Sequence, residues 1–463
     1  MAYIGAKRAL LGGKKIRWLL RDDFSGILAA GAVHGTKATP GLGTRDVDDT
    51  DSKLTIGSGW LNLEPNTTPA HGDPGYWLDA MTRVAGRIIV SHLNMSDVKR
   101  TTVGFDVNTS AQASYGFYYQ LSNVVYYRDA GGGPSGGTYA INTDYYHVVI
   151  VRTAGCYYFR KTNSGNWQLK WDTLTGSDAT IYPAITNNDA TFTSNFVRVP
   201  EQLWLPTPLA YDTFTRSNGA IGSTEVTGPD GQASPVRAWT GATWTIATNK
   251  AVNTPTLGAT LDSGTLTIGA WYKIVASESN HFFTGSAADD CFRAAAETAL
   301  DGSNTVKQIT LATMFATFDG GITGTLSSEA VTLSTGVQAE GLITNLDSAS
   351  SPANFLIAWH DGANAHLDKC VGGVYTSLVN VASANSAGDI LRLHSYRDGA
   401  DLKIDLYHKF VKMGTEQTVS DAGIIDNTLC GIMSTNPSNS LDTFQLFAKG
   451  DEGQYSVLNK FTR

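Results

Sequence analysis

Two hexapeptides decide how this chain is read: Arg21-Asp22-Asp23-Phe24-Ser25-Gly26 near the N-terminus and Tyr211-Asp212-Thr213-Phe214-Thr215-Arg216 near the middle. In each, an Asp precedes a Phe by one or two positions and a hydroxyl residue follows the Phe. The match gains weight from what comes next in the same order. Each hexapeptide is followed by a turn-rich, Gly-rich segment, then by a strand opened by a Trp. Those strands are Trp60-Leu61-Asn62-Leu63 and Trp244-Thr245-Ile246-Ala247. Much later comes a closing strand with a Phe, Phe196-Val197-Arg198-Val199 or Phe444-Gln445-Leu446-Phe447. The chain therefore reads as two tandem copies of one β-domain.

Composition agrees. A length of 463 residues holds about two to three domains. Charged residues are only 16% and there are 48 glycines, a mixture that favours strands joined by tight turns over long helices. The net charge is −8, which argues against a general nucleic-acid-binding surface. No run of about 18 apolar residues marks a membrane span. The four cysteines, Cys156, Cys291, Cys370 and Cys430, are widely separated, so they predict small buried thiols rather than a disulfide framework or zinc site.

Residues 1–20 read as a basic, partly apolar arm, either a disordered tail or an attachment peptide. The attachment reading uses Tyr3, Ile4, Lys7, Arg8, Lys14, Lys15 and Arg17. Residues 21–199 form the first domain. Its clearest hairpin joins Tyr157-Tyr158-Phe159-Arg160 to Trp167-Gln168-Leu169-Lys170-Trp171. Residues 200–210, with Pro206 and Pro208, predict a stiff linker. The second domain takes 211–256 and 315–463. The block 257–314 between them has no counterpart in the first half and predicts an inserted small β-module. Spacing supports the insertion: 172 positions separate Phe24 from Phe196, but 230 separate Phe214 from Phe444.

The Asp-x-Phe or Asp-Phe start, the Trp-led strand, the Phe-led last strand and about 180 residues per copy resemble the concanavalin A-like (laminin G-like) jelly-roll superfamily. The expected fold is all-β: two tandem jelly-roll sandwiches, the second carrying the inserted module. The module, with Gly264-Thr265-Leu266-Thr267-Ile268-Gly269, Trp271-Tyr272-Lys273-Ile274 and Phe292, resembles a small β-module of tailed-bacteriophage structural proteins. Met1-Ala2-Tyr3-Ile4-Gly5 resembles phage tail-fibre N-termini. The resemblance implies a virion protein of a tail fibre, tail or capsid surface. It implies partners among other virion proteins through the arm, a host-surface glycan and further copies of the chain.

Enzymatic chemistry is not expected, and no cofactor is. The paired carboxylates of jelly-roll glycoside hydrolases need a spacing that the chain lacks. Gly133-Pro134-Ser135-Gly136-Gly137 fits G-x-S-x-G only in form, because it lies in a Gly-rich hairpin loop. Asp46, Asp48, Asp49 and Asp51 offer oxygens to a calcium ion but lack the loop glycine of an EF-hand, so a solvated acidic loop is the plainer expectation. The glycan candidates are Tyr118, Tyr119, Tyr126 and Tyr127, with Trp359 in the second half. In each adjacent pair one ring enters the core and the other points outward. The outward rings either stack on sugar or are covered by a neighbouring subunit or domain.

Overall fold

A computed structural model describes residues 16–462, apart from 30, 39–41, 58, 66–72, 110–112, 130–134, 164, 166, 174–175, 177, 279–280, 284–285, 321–326, 335–337, 410 and 449–455. Among the described residues nearly all regular structure is strand, and the one α-helix is Ala422–Ile425. No helix is long and apolar enough to cross a membrane.

The two hexapeptides adopt the same local structure. Asp22 and Asp212 are fully buried, and each carboxylate accepts the backbone N–H of the Phe two residues on, at 2.9 and 2.8 Å. Phe24 and Phe214 sit in the left-handed region, at φ 50° and 55°, which a bulky side chain rarely adopts. The Asp side chain stabilises that turn while the buried Phe ring anchors it. Each Asp also holds a guanidinium and an aromatic donor. Asp22 takes Arg45 Nε and Nη2 at 2.6 and 2.9 Å and the Tyr76 hydroxyl at 2.6 Å. Asp212 takes Arg216 Nη1 and Nη2 at 2.7 and 2.9 Å and the Trp239 indole N–H at 2.7 Å.

From these anchors the chain forms two compact units. The first runs to Leu205 and takes back the C-terminal turn Ser456–Lys460; the second begins at Pro206. The C-terminal turn therefore does not close the second domain, as its position in the sequence implies. Lys161 Nζ and Trp167 Nε1 both donate to Asn459 Oδ1, at 2.7 and 3.1 Å. The expected linker 200–210 is shared out in the same way. The Glu201 and Trp204 amides bond to Arg17 and Gly86, whereas the Leu209 amide bonds to Leu446.

Strand order makes the duplication explicit. In the first unit one sheet contains, in spatial order, Gln168–Asp172, Cys156–Thr162, Asp144–Val151, Ile88–Met95, Val197–Pro200 and Trp18–Asp22. The second unit repeats it with Val411–Val419, Asp401–His408, Ile390–Asp398, Ser327–Thr332, Asp442–Ala448 and Ala210–Asp212. The other sheet of the first unit runs Ser135–Thr138, Val124–Asp129, Tyr115–Gln120, Thr101–Asp106, Thr180–Asn187 and Gly75–Leu78. Its counterpart runs Val374–Ala382, Asn364–Val371, Phe355–His360, Glu340–Leu346, Leu429–Ser434 and Phe315–Asp319. The shared antiparallel topology is that of a jelly-roll sandwich.

Two details of the alignment shift. Trp244–Ala247 is the first strand of a hairpin and pairs with Gly219–Ala220; its counterpart by strand order is Leu54–Gly57, which pairs with Ile27–Leu28. Trp60 opens the second strand of its hairpin. It is 37% exposed, whereas Trp244 is 1% exposed. Likewise Asp212 pairs with Phe444 but Asp22 pairs with Val197, one residue beyond Phe196. Residue type alone misled the register, because one-residue slips reverse the face of every side chain.

Residues 257–309 form a separate four-stranded sheet of Leu257–Leu261, Thr305–Ile309, Trp271–Ala276 and Cys291–Arg293. It is inserted ahead of Phe315–Asp319. The block has its own small core of Leu266, Tyr272, Ala294, Leu300 and Val306.

Candidate functional site

The outer face of the sheet that holds Tyr115–Gln120 in the first unit, and of the sheet that holds Phe355–His360 in the second, is the place to seek a cleft, since the opposite face builds the sandwich core. In the first unit, register puts Tyr119 and Tyr127 on the core side. Tyr119 bonds to the buried His147 ring, and Tyr127 stacks on Trp171 at 6.0 Å with planes 5° apart. Burial pushes the Tyr119 hydroxyl well above its ordinary pKa. These two rings are core residues and reach no ligand.

Tyr118 and Tyr126 pair across neighbouring strands on the other side. Tyr118 is 9% exposed and lies under the Arg128 guanidinium, 5.5 Å from the ring centre, while Tyr126 is half-buried. The same face carries Trp77, Ala184 and Asp106, all fully buried. Asp106 is occupied by Trp77 Nε1 at 3.2 Å, Ser114 Oγ at 2.9 Å and the Val107 amide at 2.8 Å. Gly104 and Gly116 pair at its centre, and a Cβ on either would run into the other strand's backbone. The alternation of the tyrosines was readable from sequence, but not which register positions would be sealed.

In the second unit the inserted module covers the equivalent face. Trp271, Cys291, Ile309 and Met314 form one apolar cluster with Phe315, Ile343, Phe355, Ile357, Trp359 and Met433. Trp271 and Tyr272 alternate, one ring facing the jelly roll and the other the module's own core. Trp359 is thereby 8% exposed, stacks on His366 at 3.8 Å and meets Trp271 edge-on at 5.2 Å. Arg293 enters this aromatic cluster from the module. Its guanidinium lies 4.5 Å from the Tyr375 ring and 5.8 Å from each of Trp271 and Trp359. It pairs with the fully buried Asp368 at 2.9 Å, whose Oδ2 also accepts the Trp359 indole N–H at 2.6 Å. Beside this seal lies a groove of about 470 Å³, with Thr267, Gln308, Thr310 and the Tyr375 ring among apolar Ile268 and Leu311. Neither Arg293 nor Asp368 stood out in the sequence, because 75 positions separate them.

A polar network closes one end of the second unit. The fully buried His360 and His408 rings lie 4.4 Å apart. His408 Nε2 bonds to Asn385 Oδ1 at 3.1 Å, Asn385 donates to the Ser334 carbonyl at 2.9 Å, and the Ser334 amide donates to Glu340 at 2.7 Å. Burial, then repulsion from His360, lowers the His408 pKa to about 4; burial raises the Glu340 pKa to about 7. The two act oppositely on stability. Between pH 6.5 and 4 the unfolded chain binds the histidine proton more readily, so acidification destabilises. Between pH 7 and 4.5 the folded chain binds the glutamate proton more readily, so acidification stabilises. The lowered pKa values of His92, His147 and His360 add to the first effect, so Glu340 partly offsets the histidines in the wild type. Glu340→Gln removes the second effect. Unfolding titrations of that variant should show a loss about 3 kcal/mol larger than that of the wild type on going from pH 7 to 4.5, at ~1.4 kcal/mol per pKa unit. An unchanged pH profile would refute the assignment.

Other expected site residues fall apart. Among the described residues no three His, Cys, Asp or Glu side chains are arranged to hold a metal ion. Asp49, one of the four calcium candidates, spends its carboxylate on the Lys53 and Leu54 amides at 2.6 and 2.8 Å; Asp46 pairs with His34 at 3.3 Å. Asp48 stays close to Asp73, Asp46 and Asp49, and burial, then the charges of those three, raises its pKa. The four cysteines are buried and unpaired with one another, and burial pushes Cys291 and Cys370 up to about 11. Of the arm, Tyr3, Ile4, Lys7, Arg8, Lys14 and Lys15 lie outside the described residues. Arg17 is exposed and reaches Glu201 at 3.5 Å, and the following residues, Trp18–Asp22, already form a sandwich strand. The folded domain therefore starts inside the span that reads as an arm. Gly133 and Pro134 of the G-x-S-x-G string are also outside the described residues.

No family model and no curated protein matches the chain. Several solved structures are similar at low identity. The exoplasmic/lumenal domain of VIP36, in a Ca2+/Man3GlcNAc-bound form, is 8% identical, with 38% of this chain and 90% of that one covered and a TM-score of 0.28. The carbohydrate binding module CBM66 from Bacillus subtilis is 13% identical, covering 29% of this chain and 79% of that one, with a TM-score of 0.20. A xylan beta-1,4-xylosidase from Bacillus halodurans C-125 is 9% identical over 90% of this chain and 88% of that one, with a TM-score of 0.26. The jelly-roll assignment itself rests on the strand order of the two units.

Proposed function

We propose that this chain is a non-enzymatic structural or accessory protein that displays two jelly rolls on the surface of a larger extracellular particle, in more than one copy. A tailed-phage virion is the assembly its sequence resembles. One observation carries the reading. The sheet face that a jelly-roll enzyme would leave open as a cleft is filled in the second unit by the inserted module. The buried carboxylate there, Asp368, is held by Arg293 and Trp359 rather than by a second carboxylate. Such a face contributes rigidity and leaves no room for the two facing acids of glycoside hydrolysis. The test is to incubate purified protein with bacterial and plant polysaccharides and assay reducing ends. None should be released, and labelled antibody should decorate intact particles. Reducing-sugar release would sink the non-enzymatic part; unlabelled particles would sink the particle part.

A second reading is carbohydrate binding, as an adhesin for a host-surface glycan. The groove on the second unit favours it. Its volume of about 470 Å³ lies within the usual range for small-ligand pockets, and its rim mixes hydroxyl and amide groups with apolar walls.

A further inference from the structure

The first unit carries a different surface with the equipment of a binding site. Outside the sandwich core, two rows of side chains cross the same four strands. Backbone pairing sets the first row: Asn62 pairs with Thr193, Thr193 with Asn94, and Asn94 with Asp144. All four side chains are half-buried. One step along each strand lies the second row, Trp60, Asn195, His92 and Tyr146. At about 4.8 Å between strands, each row spans roughly 14 Å.

The second row is an aromatic shelf built on His92. That ring is fully buried and meets Trp60 at 5.6 Å and Tyr146 at 5.2 Å, both edge-on. His92 Nε2 donates to Asp144 Oδ1 at 3.0 Å, while His92 Nδ1 accepts the Asn195 amide at 3.3 Å. Asn94 Nδ2 adds a second bond to the same Asp144 oxygen at 2.8 Å. Asp144 is thus fixed in place with both bonds on Oδ1, and its side chain is 34% exposed. The outer end of the shelf is Trp60. Among the described residues Trp60 and Phe283 are the two aromatic rings that rank as exposed large apolar side chains. Trp60 is not needed to fill the sandwich core, yet it is held in place by the His92 ring beneath it.

We propose that this surface binds a neutral oligosaccharide lying across the four strands, with Trp60 and Tyr146 against sugar faces and Asp144, Asn94 and Asn62 bonding to hydroxyls. The chemistry selects that ligand class. A pyranose offers an apolar C–H face to an aromatic ring and hydroxyls at its edge to amides and a carboxylate. An acidic ligand would meet the Asp144 carboxylate, and the nearby Lys161 ammonium, 5.5 Å from the Tyr146 ring centre, already donates to Asn459 Oδ1. The proposal rests on the carbohydrate-binding reading but not on the groove of the second unit.

The test is isothermal titration of the full chain with maltohexaose, xylohexaose, cellohexaose and mannohexaose. The expected result is that at least one binds and that Trp60→Ala and Asp144→Ala each weaken it at least about tenfold, equivalent to ~1.4 kcal/mol. Trp60→Ala should shift the unfolding midpoint only slightly, because the ring lies outside the sandwich core, and Gln308→Ala reports separately on the groove of the second unit. A hexasaccharide bound equally by wild type and by Trp60→Ala overturns this site but leaves the carbohydrate-binding reading standing. Affinity lost in Gln308→Ala but kept in Trp60→Ala moves the site to the second unit. If none of the four hexasaccharides binds the wild type, both the site and the reading fail.

Discussion

Replacing Asp22 with alanine is expected to lower the stability of the first unit by about 3–5 kcal/mol, the usual cost of removing one partner from a buried ion pair. The reason is what stays behind. Arg45 is 1% exposed, so its guanidinium would remain buried with its counter-charge gone. The Tyr76 hydroxyl would lose its acceptor, and the left-handed turn at Phe24 would lose the carboxylate that holds its amide. The same change at Asp212 should cost less. Arg216 is 27% exposed on its side chain and can turn to water, leaving the Trp239 indole as the main loss. Hydrogen exchange resolved by peptide is the measurement, since a two-unit chain need not unfold in one step. Faster exchange confined to the first unit in Asp22→Ala, with a smaller effect in the second unit for Asp212→Ala, is the expected outcome. Equal effects, or none, would show that the buried pairs do not anchor the two sandwiches as described.

The second large effect concerns the inserted module. Arg293→Ala leaves Asp368 fully buried without its cation and empties the space between Trp271, Trp359 and Tyr375. About 3–5 kcal/mol is again the expected scale, now as local stability. The change should appear as faster exchange in Trp271–Ala276, Thr305–Ile309 and Phe355–His360, while Ala210–Asp212 and Asp442–Ala448 stay protected. Arg293→Met tests whether charge or packing dominates, because it restores apolar volume but leaves Asp368 unpaired. Protection unchanged in Arg293→Ala would mean that the apolar cluster alone holds the module on the sheet.

The duplication and the class of fold follow from local residue patterns. An Asp two residues before a Phe is a local device: its carboxylate reaches the Phe amide without help from the rest of the chain, so the motif recurs wherever the turn recurs. The insertion was legible for a similar reason, since chain length between two anchors can be counted. Alternation on Tyr118-Tyr119 and Tyr126-Tyr127 likewise follows from the two-residue period of a strand.

What those features face depends on long-range packing. Asp22 finds its cation at Arg45, 23 residues on, and Asp212 finds one at Arg216, four residues on. No spacing rule predicts both, because burying the carboxylate demands a guanidinium in space and not at a set distance along the chain. The sealing of Trp359 by Trp271, and the row of Asn62, Thr193, Asn94 and Asp144 on one exposed face, depend on strands far apart in sequence. Register fixes which side chains become neighbours across a sheet, and register is set by long-range pairing. Register therefore puts Tyr119 and Tyr127 in the core and Tyr118 and Tyr126 on the opposite face of that sheet. In the sequence Trp60 marks only the start of a strand; its place beside His92 comes from pairing between strands distant in the chain.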